Sequence, residues 1–158
     1  MLTLKEAPFV KADMLIRRPV AEVFEAFVDP AITTKFWFTK STGRLETGKR
    51  VRWDWEMYGV FADVDVEAVE PNRRIRIEWG SDGDMTEVEW TFTPRTGDET
   101  FVTVTNTGFK GDGDSIVGQV IDSTGGFTMV LCALKALLEH NVVLTVVADK
   151  APDAHVTR

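Results

Sequence analysis

At 158 residues, with 44% apolar and 27% charged content, the chain has the size and make-up of one ordinary globular domain with a core of its own. A net charge of −7 without any basic cluster excludes the electrostatic footprint of a nucleic-acid binder. One cysteine, Cys132, excludes an internal disulfide and fits a reducing cytoplasm. No stretch has signal-peptide character, and the most apolar run, 127–138, is short for a bilayer span and interrupted by Lys135.

A first strand is expected over 9–16. Pro19 suits a first helical position, and Val20, Val23, Phe24 and Phe27 follow at helical spacing to about Val28. Asp29-Pro30 is a second start signal, a cap followed by a preset φ, for a short helix through Ile32 to about Phe36. Five alternating runs come next, over 50–57, 60–69, 73–80, 85–94 and 100–107. Tyr58-Gly59, Pro71-Asn72, Asp82-Gly83 and Thr96-Gly97-Asp98 separate them. Gly and Asn accept positive φ and Pro cannot sit in a central ladder, so these are turns, and the runs form an antiparallel meander.

Register follows from the turns. A two-residue turn at Asp82-Gly83 sets Ile75 opposite Trp90, Arg76 opposite Glu89 and Ile77 opposite Val88. Glu78 facing Glu87 is the one unfavourable pair. A two-residue turn at Tyr58-Gly59 sets Trp53 opposite Val64, Trp55 opposite Ala62 and Arg52 opposite Asp65.

Beyond the last strand, "GFKGDGDS" reads as a polar, flexible loop, followed by a short helix over 115–120. Asp122 or Ser123 then caps a long helix whose apolar stripe is Phe127, Val130, Leu131, Leu134, Leu137 and Leu138, widened by Met129, Cys132 and Ala133. It ends before Pro152. A twisted antiparallel sheet with one apolar face needs a cover, and only this helix can supply it. The expected fold is α+β, in a single domain. A curved antiparallel six-stranded sheet wraps around a long C-terminal helix, with two short helices after strand one.

Five tryptophans are many for a domain of this size. In "VRWDWEMYG", residues 51–59, Trp53 and Trp55 alternate with charges, so one strand face meets apolar surroundings. With Trp79 and Trp90 they form the inner wall of the sheet. An indole N–H needs a partner when buried, and the neighbouring Val and Ile side chains offer none. The residues alone leave two readings, plain core or a cavity between sheet and helix shared with a guest. The wall of such a cavity is Trp53, Trp55, Trp79 and Trp90, and its lid is Phe127, Leu131 and Leu134. Its mouth is expected at Phe36-Trp37-Phe38, three adjacent aromatics that one face of a short helix cannot bury together.

Catalytic and metal signals are absent. The expected inner positions (51, 53, 55, 57, 64, 66, 75, 77, 79, 88, 90, 92, 102 and 104) carry no titratable side chain, whereas general acid–base work needs one within reach of substrate. Asp54, Asp63, Asp65, Glu87 and Glu89 fall on the outer face. His140 and His155 are read as a helix-boundary residue and a tail residue, and "GDGDS" lacks the ordered ligands of a calcium loop. Cys132, amid apolar neighbours, is read as inert. No catalytic residue, cofactor or metal is expected.

Several segments together resemble the START-like (SRPBCC) superfamily and, within it, homologues of the activator of heat-shock-protein-90 ATPase. They are Pro19 with Val23-Phe24, Asp29-Pro30 followed by Trp37, Gly59-Val60, and Val69-Glu70-Pro71 with Arg74 and Trp79. The last is Gly126-Phe127 leading to Leu131, Leu134 and Leu138-Glu139. The resemblance implies the helix-grip fold and a cavity that relatives use for lipids, hormones, polyketides or other apolar molecules. The eukaryotic co-chaperone of that family carries an added N-terminal domain that contacts the chaperone, for which this chain has no room. Three functions follow as expectations. The first is a binding module for a small apolar or aromatic molecule. The second is a cyclase- or hydrolase-like enzyme, which needs a polar residue reaching inward. The third is a stress-related accessory protein whose partner docks on exposed aromatics at 36–38.

Overall fold

A computed structural model of the protein describes residues 1–156. Strand β1 (Val10–Ile16) leads into helices α1 (Val20–Val28) and α2 (Pro30–Thr33). The sheet continues with β2 (Lys40–Ser41), β3 (Arg50–Trp55), β4 (Val60–Glu70), β5 (Arg74–Gly80), β6 (Thr86–Arg95) and β7 (Glu99–Thr107). Helix α3 (Gly113–His140) and a one-turn helix α4 (Val146–Asp149) follow. All seven strands form one antiparallel sheet in the order β1-β7-β6-β5-β4-β3-β2. The meander is as the turns dictate, and β1 returns to pair with the last strand. The strand beyond the expected six is β2, two residues long on the outer edge of β3. So short a segment carries no alternation from which it could be read.

Hairpin β5–β6 has the expected register throughout, from Ile75 opposite Trp90 to Glu78 opposite Glu87. Hairpin β3–β4 does not. Trp53 pairs with Ala62, Val51 with Val64, Arg52 with Asp63 and Arg50 with Asp65, two residues from the expected register. A 3₁₀ turn at Glu56–Tyr58, closed by Gly59 at φ +62°, draws more chain into the connection than a two-residue turn would. A shift of two keeps side-chain parity, so each residue stays on its expected face.

That face is the core. Val51, Trp53, Val64, Val66, Ile75, Ile77, Val88, Trp90, Phe92, Val102 and Val104 are buried. Opposite them, Arg50 pairs with Asp65, Arg52 with Asp54, and Arg74 with both Glu70 and Glu89, an ion-pair lattice on the outer face. These exposed or half-exposed pairs hold register more than they add stability.

Helix α3 departs from expectation at its start. Residues 113–140 form one helix, capped by Asp112, whose carboxylate accepts from the Ser115 N–H at 2.8 Å. The separate helix over 115–120, the cap at Asp122 or Ser123 and the flexible "GDGDS" loop are thus replaced by a single element. The helix ends at Asn141 in the left-handed conformation (φ 53°). At 28 residues, with a mean hydropathy of 1.4 in its most apolar window, it has the length and composition of a membrane span. It nevertheless packs on the sheet, burying Phe127, Val130, Leu131, Ala133, Leu134 and Leu137. Cys132, expected within the stripe, is exposed.

At its C-terminal end α3 is tied to β1. Lys135 Nζ donates to the Leu15 carbonyl and to Glu139, each at 2.7 Å, and Glu139 accepts from the Arg17 N–H at 2.9 Å. On the same side of the sheet, α1 places Phe24 and Phe27 against Phe92. Thr33, buried in α2, shares its hydroxyl proton between the carbonyls of Ala26 and Asp29 and so clamps α2 to α1.

Candidate functional site

Every fully buried residue of α3 lies at or beyond Phe127. Toward its N-terminus, helix and sheet part, and a cavity of about 360 Å³ occupies the gap. Trp37, Trp55, Tyr58 and Trp79 wall it from the sheet side. Asp122, Ser123, Gly126, Phe127, Met129 and Val130 wall it from α3, and Val147, Lys150 and Ala151 close it from the C-terminal segment.

The chain builds this gap with glycine. Gly125 and Gly126 sit in mid-helix, where each costs about 1 kcal/mol relative to alanine. A Cβ at Gly126 would meet nothing within 4 Å. Packing does not require that glycine, and a side chain there would enter the cavity.

The eight expected site residues divide in two. Trp37, Trp55, Trp79 and Phe127 line the cavity, while Trp53, Trp90, Leu131 and Leu134 are packed in the solid core, each at most 1% exposed. The division follows the sheet: Trp55 and Trp79 end the inner rows of β3 and β5 at the same end of the sheet, whereas Trp53 and Trp90 lie further in. Trp37 is the hub. Its ring centroid lies 4.9 Å from that of Trp53 and 5.7–6.2 Å from those of Trp55, Trp79, Trp90 and Phe127. Phe38 stacks on Trp53 at 4.5 Å and Phe36 packs edge-on against Phe27 at 5.5 Å. All three residues of the 36–38 segment are buried, so the expected exposed aromatic mouth does not exist. The chain leaves α2 at Thr33, and past that point successive side chains fan to different sides instead of sharing a helical face.

Trp90 Nε1 is buried without a hydrogen-bond partner. Its neighbours Phe27, Trp37 and Phe127 offer only ring faces and edges, a second-order substitute.

Residues of the site that sequence patterning missed come from two places. Tyr58, Val147, Lys150 and Ala151 belong to a closure made by the C-terminal segment. The Tyr58 hydroxyl donates to the Val147 carbonyl and lies 3.2 Å from that of Ala148. His155 Nε2 lies 2.7 Å from the Ala148 carbonyl, and the Val156 N–H donates to the Met57 carbonyl at 2.9 Å. No sequence period signals such a strap. Asp122 and Ser123 have the residue types of a helix start, and that signal masks them as lining residues.

The inner face of β7 also holds two polar residues beyond the expected set, Thr100, whose hydroxyl donates to the Arg18 carbonyl at 2.9 Å, and Asn106. Asn106 continues the parity of Val102 and Val104 and is 1% exposed. Its amide donates to Thr86 Oγ1 at 3.0 Å and to the Glu87 carbonyl at 2.8 Å, and its oxygen accepts from the Ser123 hydroxyl at 3.0 Å.

The comparisons with known proteins agree with this geometry. Residues 17–139 match the family model described as Activator of Hsp90 ATPase homolog 1-like protein. The chain belongs to that family. Its solved relatives include SSP2350 from Staphylococcus saprophyticus, 31% identical with a TM-score of 0.74, over 87% of this chain and 96% of that one. DynU16, a protein in the dynemicin biosynthetic locus, is 26% identical with a TM-score of 0.76. The likeness covers 85% of this chain but spans only 48% of DynU16. The Aha1 dimer of Colwellia psychrerythraea shares the fold at 17% identity and a TM-score of 0.73, over 84% of this chain and 97% of that one. No curated protein matches the chain. The family match ends at Glu139, so the strap that closes the cavity lies beyond it.

Proposed function

We propose that the protein is a binding module that holds a small apolar or aromatic molecule between α3 and the end of the sheet that carries Trp55 and Trp79. The observation that carries this reading is the glycine-floored cavity. A gap of about 360 Å³, walled by Trp37, Trp55, Trp79 and Phe127, is left unfilled at a helix position where alanine would fit and stabilise. Its volume, mostly apolar lining and few polar groups are those of a small-molecule site. Tyr58, Val147, Lys150 and Ala151 join the contact set, and Trp53, Trp90, Leu131 and Leu134 act behind it by holding the lining rings in place. DynU16's place in a biosynthetic locus supports a small-molecule guest over a protein partner.

The enzymatic reading finds less support. Ser123 gives its proton to an amide oxygen and not to a base, so it is not an activated nucleophile. Asp122 and Lys150 are exposed at the rim. The accessory reading loses its docking surface, since residues 36–38 are buried. A cytoplasmic location fits the free Cys132 thiol exposed on α3.

The test is a titration of intrinsic tryptophan fluorescence with apolar aromatic compounds, on the native protein and on two variants. Gly126→Ala leaves room for a guest and raises stability by up to about 1 kcal/mol. Gly126→Leu fills the cavity and abolishes the response while the fold is kept. Absence of any response in the native protein, or an unchanged response in Gly126→Leu, refutes the reading.

A further inference from the structure

The Ser123–Asn106 pair sits where the cavity meets the core, and its proton bookkeeping is fully determined. Asn106 has two amide hydrogens and one carbonyl oxygen. The Glu87 carbonyl, 2.8 Å away, can only accept, so the amide nitrogen must face it, and its second hydrogen goes to Thr86 Oγ1 at 3.0 Å. The Asn106 oxygen is thereby turned toward Ser123. An amide oxygen carries no hydrogen, so the Ser123 hydroxyl must donate, at 3.0 Å. The arrangement is locked because Asn106 is 1% exposed and its partners are fixed by the β6–β7 ladder, which pairs Val88 with Asn106.

A serine inside a helix ordinarily turns its hydroxyl back to the carbonyl four residues earlier. Thr124 and Thr128 in the same helix do so, at 2.7 Å each. Ser123 instead spends its only proton inward. What it retains on the cavity side is lone-pair capacity alone. Asp122 beside it is an acceptor as well, so the α3 wall of the cavity offers acceptors and no donor. The one cationic donor of the lining is Lys150, on the strap opposite.

We infer that Ser123 reads a hydrogen-bond donor on the guest. The cavity takes an aromatic molecule carrying an O–H or N–H, such as a phenol or an arylamine, in preference to a bare hydrocarbon or an ether of the same shape. Asn106 is the positioning residue that fixes Ser123 as an acceptor. The inference rests on the cavity being a ligand site and adds the class of ligand.

The experiment compares 1-naphthol with 1-methoxynaphthalene by isothermal titration calorimetry. The two share a ring system, and only the first has a proton to give. The native protein is expected to bind 1-naphthol about fivefold tighter, the factor one net hydrogen bond supplies. Ser123→Ala reduces the ratio to within twofold, and Ser123→Thr, which keeps the hydroxyl, restores it. Equal affinities in the native protein overturn the inference while leaving the cavity reading intact. A preference that survives in Ser123→Ala also overturns it, and assigns the discrimination to Asp122, the other acceptor of the α3 wall. If neither probe binds, the cavity reading falls and this inference with it. The comparison on the native protein requires no variant to fold.

Discussion

Glu139 is a carboxylate whose surroundings act in opposite directions. Its side chain is 9% exposed, and burial alone would push its carboxyl up. The Arg17 N–H, Lys135 and the nearby His140 outweigh that penalty and hold it below its ordinary value. A group whose folded pKa is depressed contributes stability that is complete above its unfolded pKa, about 4.3, and lost as pH falls through the folded value. Glu139→Gln is therefore expected to cost about 2 kcal/mol at pH 7, the worth of a charged hydrogen bond. In thermal unfolding the gap between native and variant protein should hold down to about pH 5, then shrink. A gap that persists unchanged at pH 2 would mean the charge is not what ties α3 to the end of β1. At this scale the strand residues were legible, because period-two alternation assigns each side chain a face without knowledge of its partners. Asn106 was not. A polar residue on an inner face becomes intelligible only when Thr86, Glu87 and Ser123, distant in sequence, are brought around it. Phe36–Phe38 failed for a related reason: burial of three consecutive rings depends on where the backbone leaves the helix, and nothing in three aromatic letters states that.

Among the elements, the C-terminal strap is held to the β3–β4 connection by few and mostly polar contacts, which places it at the low end of local stability. The Tyr58 hydroxyl, bound to the Val147 carbonyl, is the contact nearest the cavity. Tyr58→Phe removes it at a cost of about 1 kcal/mol. Amide exchange over 146–156 should then quicken about fivefold, while the buried half of α3 keeps its protection. Equal acceleration in both would show that strap and helix open as one unit. The errors at this scale share one cause. A cap residue and a mid-helix residue can be the same amino acid: Asp112 and Asp122-Ser123 are equally good start signals. The chain uses the first: the Asp112 carboxylate accepts from the Ser115 N–H, and Asp122-Ser123 become mid-helix residues. The β3–β4 slip likewise reflects a 3₁₀ turn that local turn chemistry does not distinguish from a tighter one. Both errors left the faces unchanged, which is why the core survived them.

For the molecule as a whole, the helix-grip arrangement was readable because its requirement is global and simple: one apolar sheet face, one apolar helix, no other cover. Where the grip loosens is a finer matter, since it depends on Gly126, which puts no side chain into the gap, and on a closure that begins after α3 ends. On the proposed reading, that closure separates folding from binding. Leu144, Val146 and Val147 pack against the core from the strap, and partial burial of three such side chains is worth about 3 kcal/mol. A chain stopped after Asn141 should therefore lose about that much stability and still show the far-ultraviolet signature and cooperative unfolding of the sheet and α3. It should bind no apolar probe, because Val147, Lys150 and Ala151 are gone and the cavity becomes an open shelf. Cooperative unfolding with lost binding would place the grip in the sheet and α3 and the guest's retention in the strap. Unaffected binding would mean that the tryptophan wall and α3 alone hold the guest. Loss of cooperative unfolding would make the strap part of the fold itself, with the cavity its by-product.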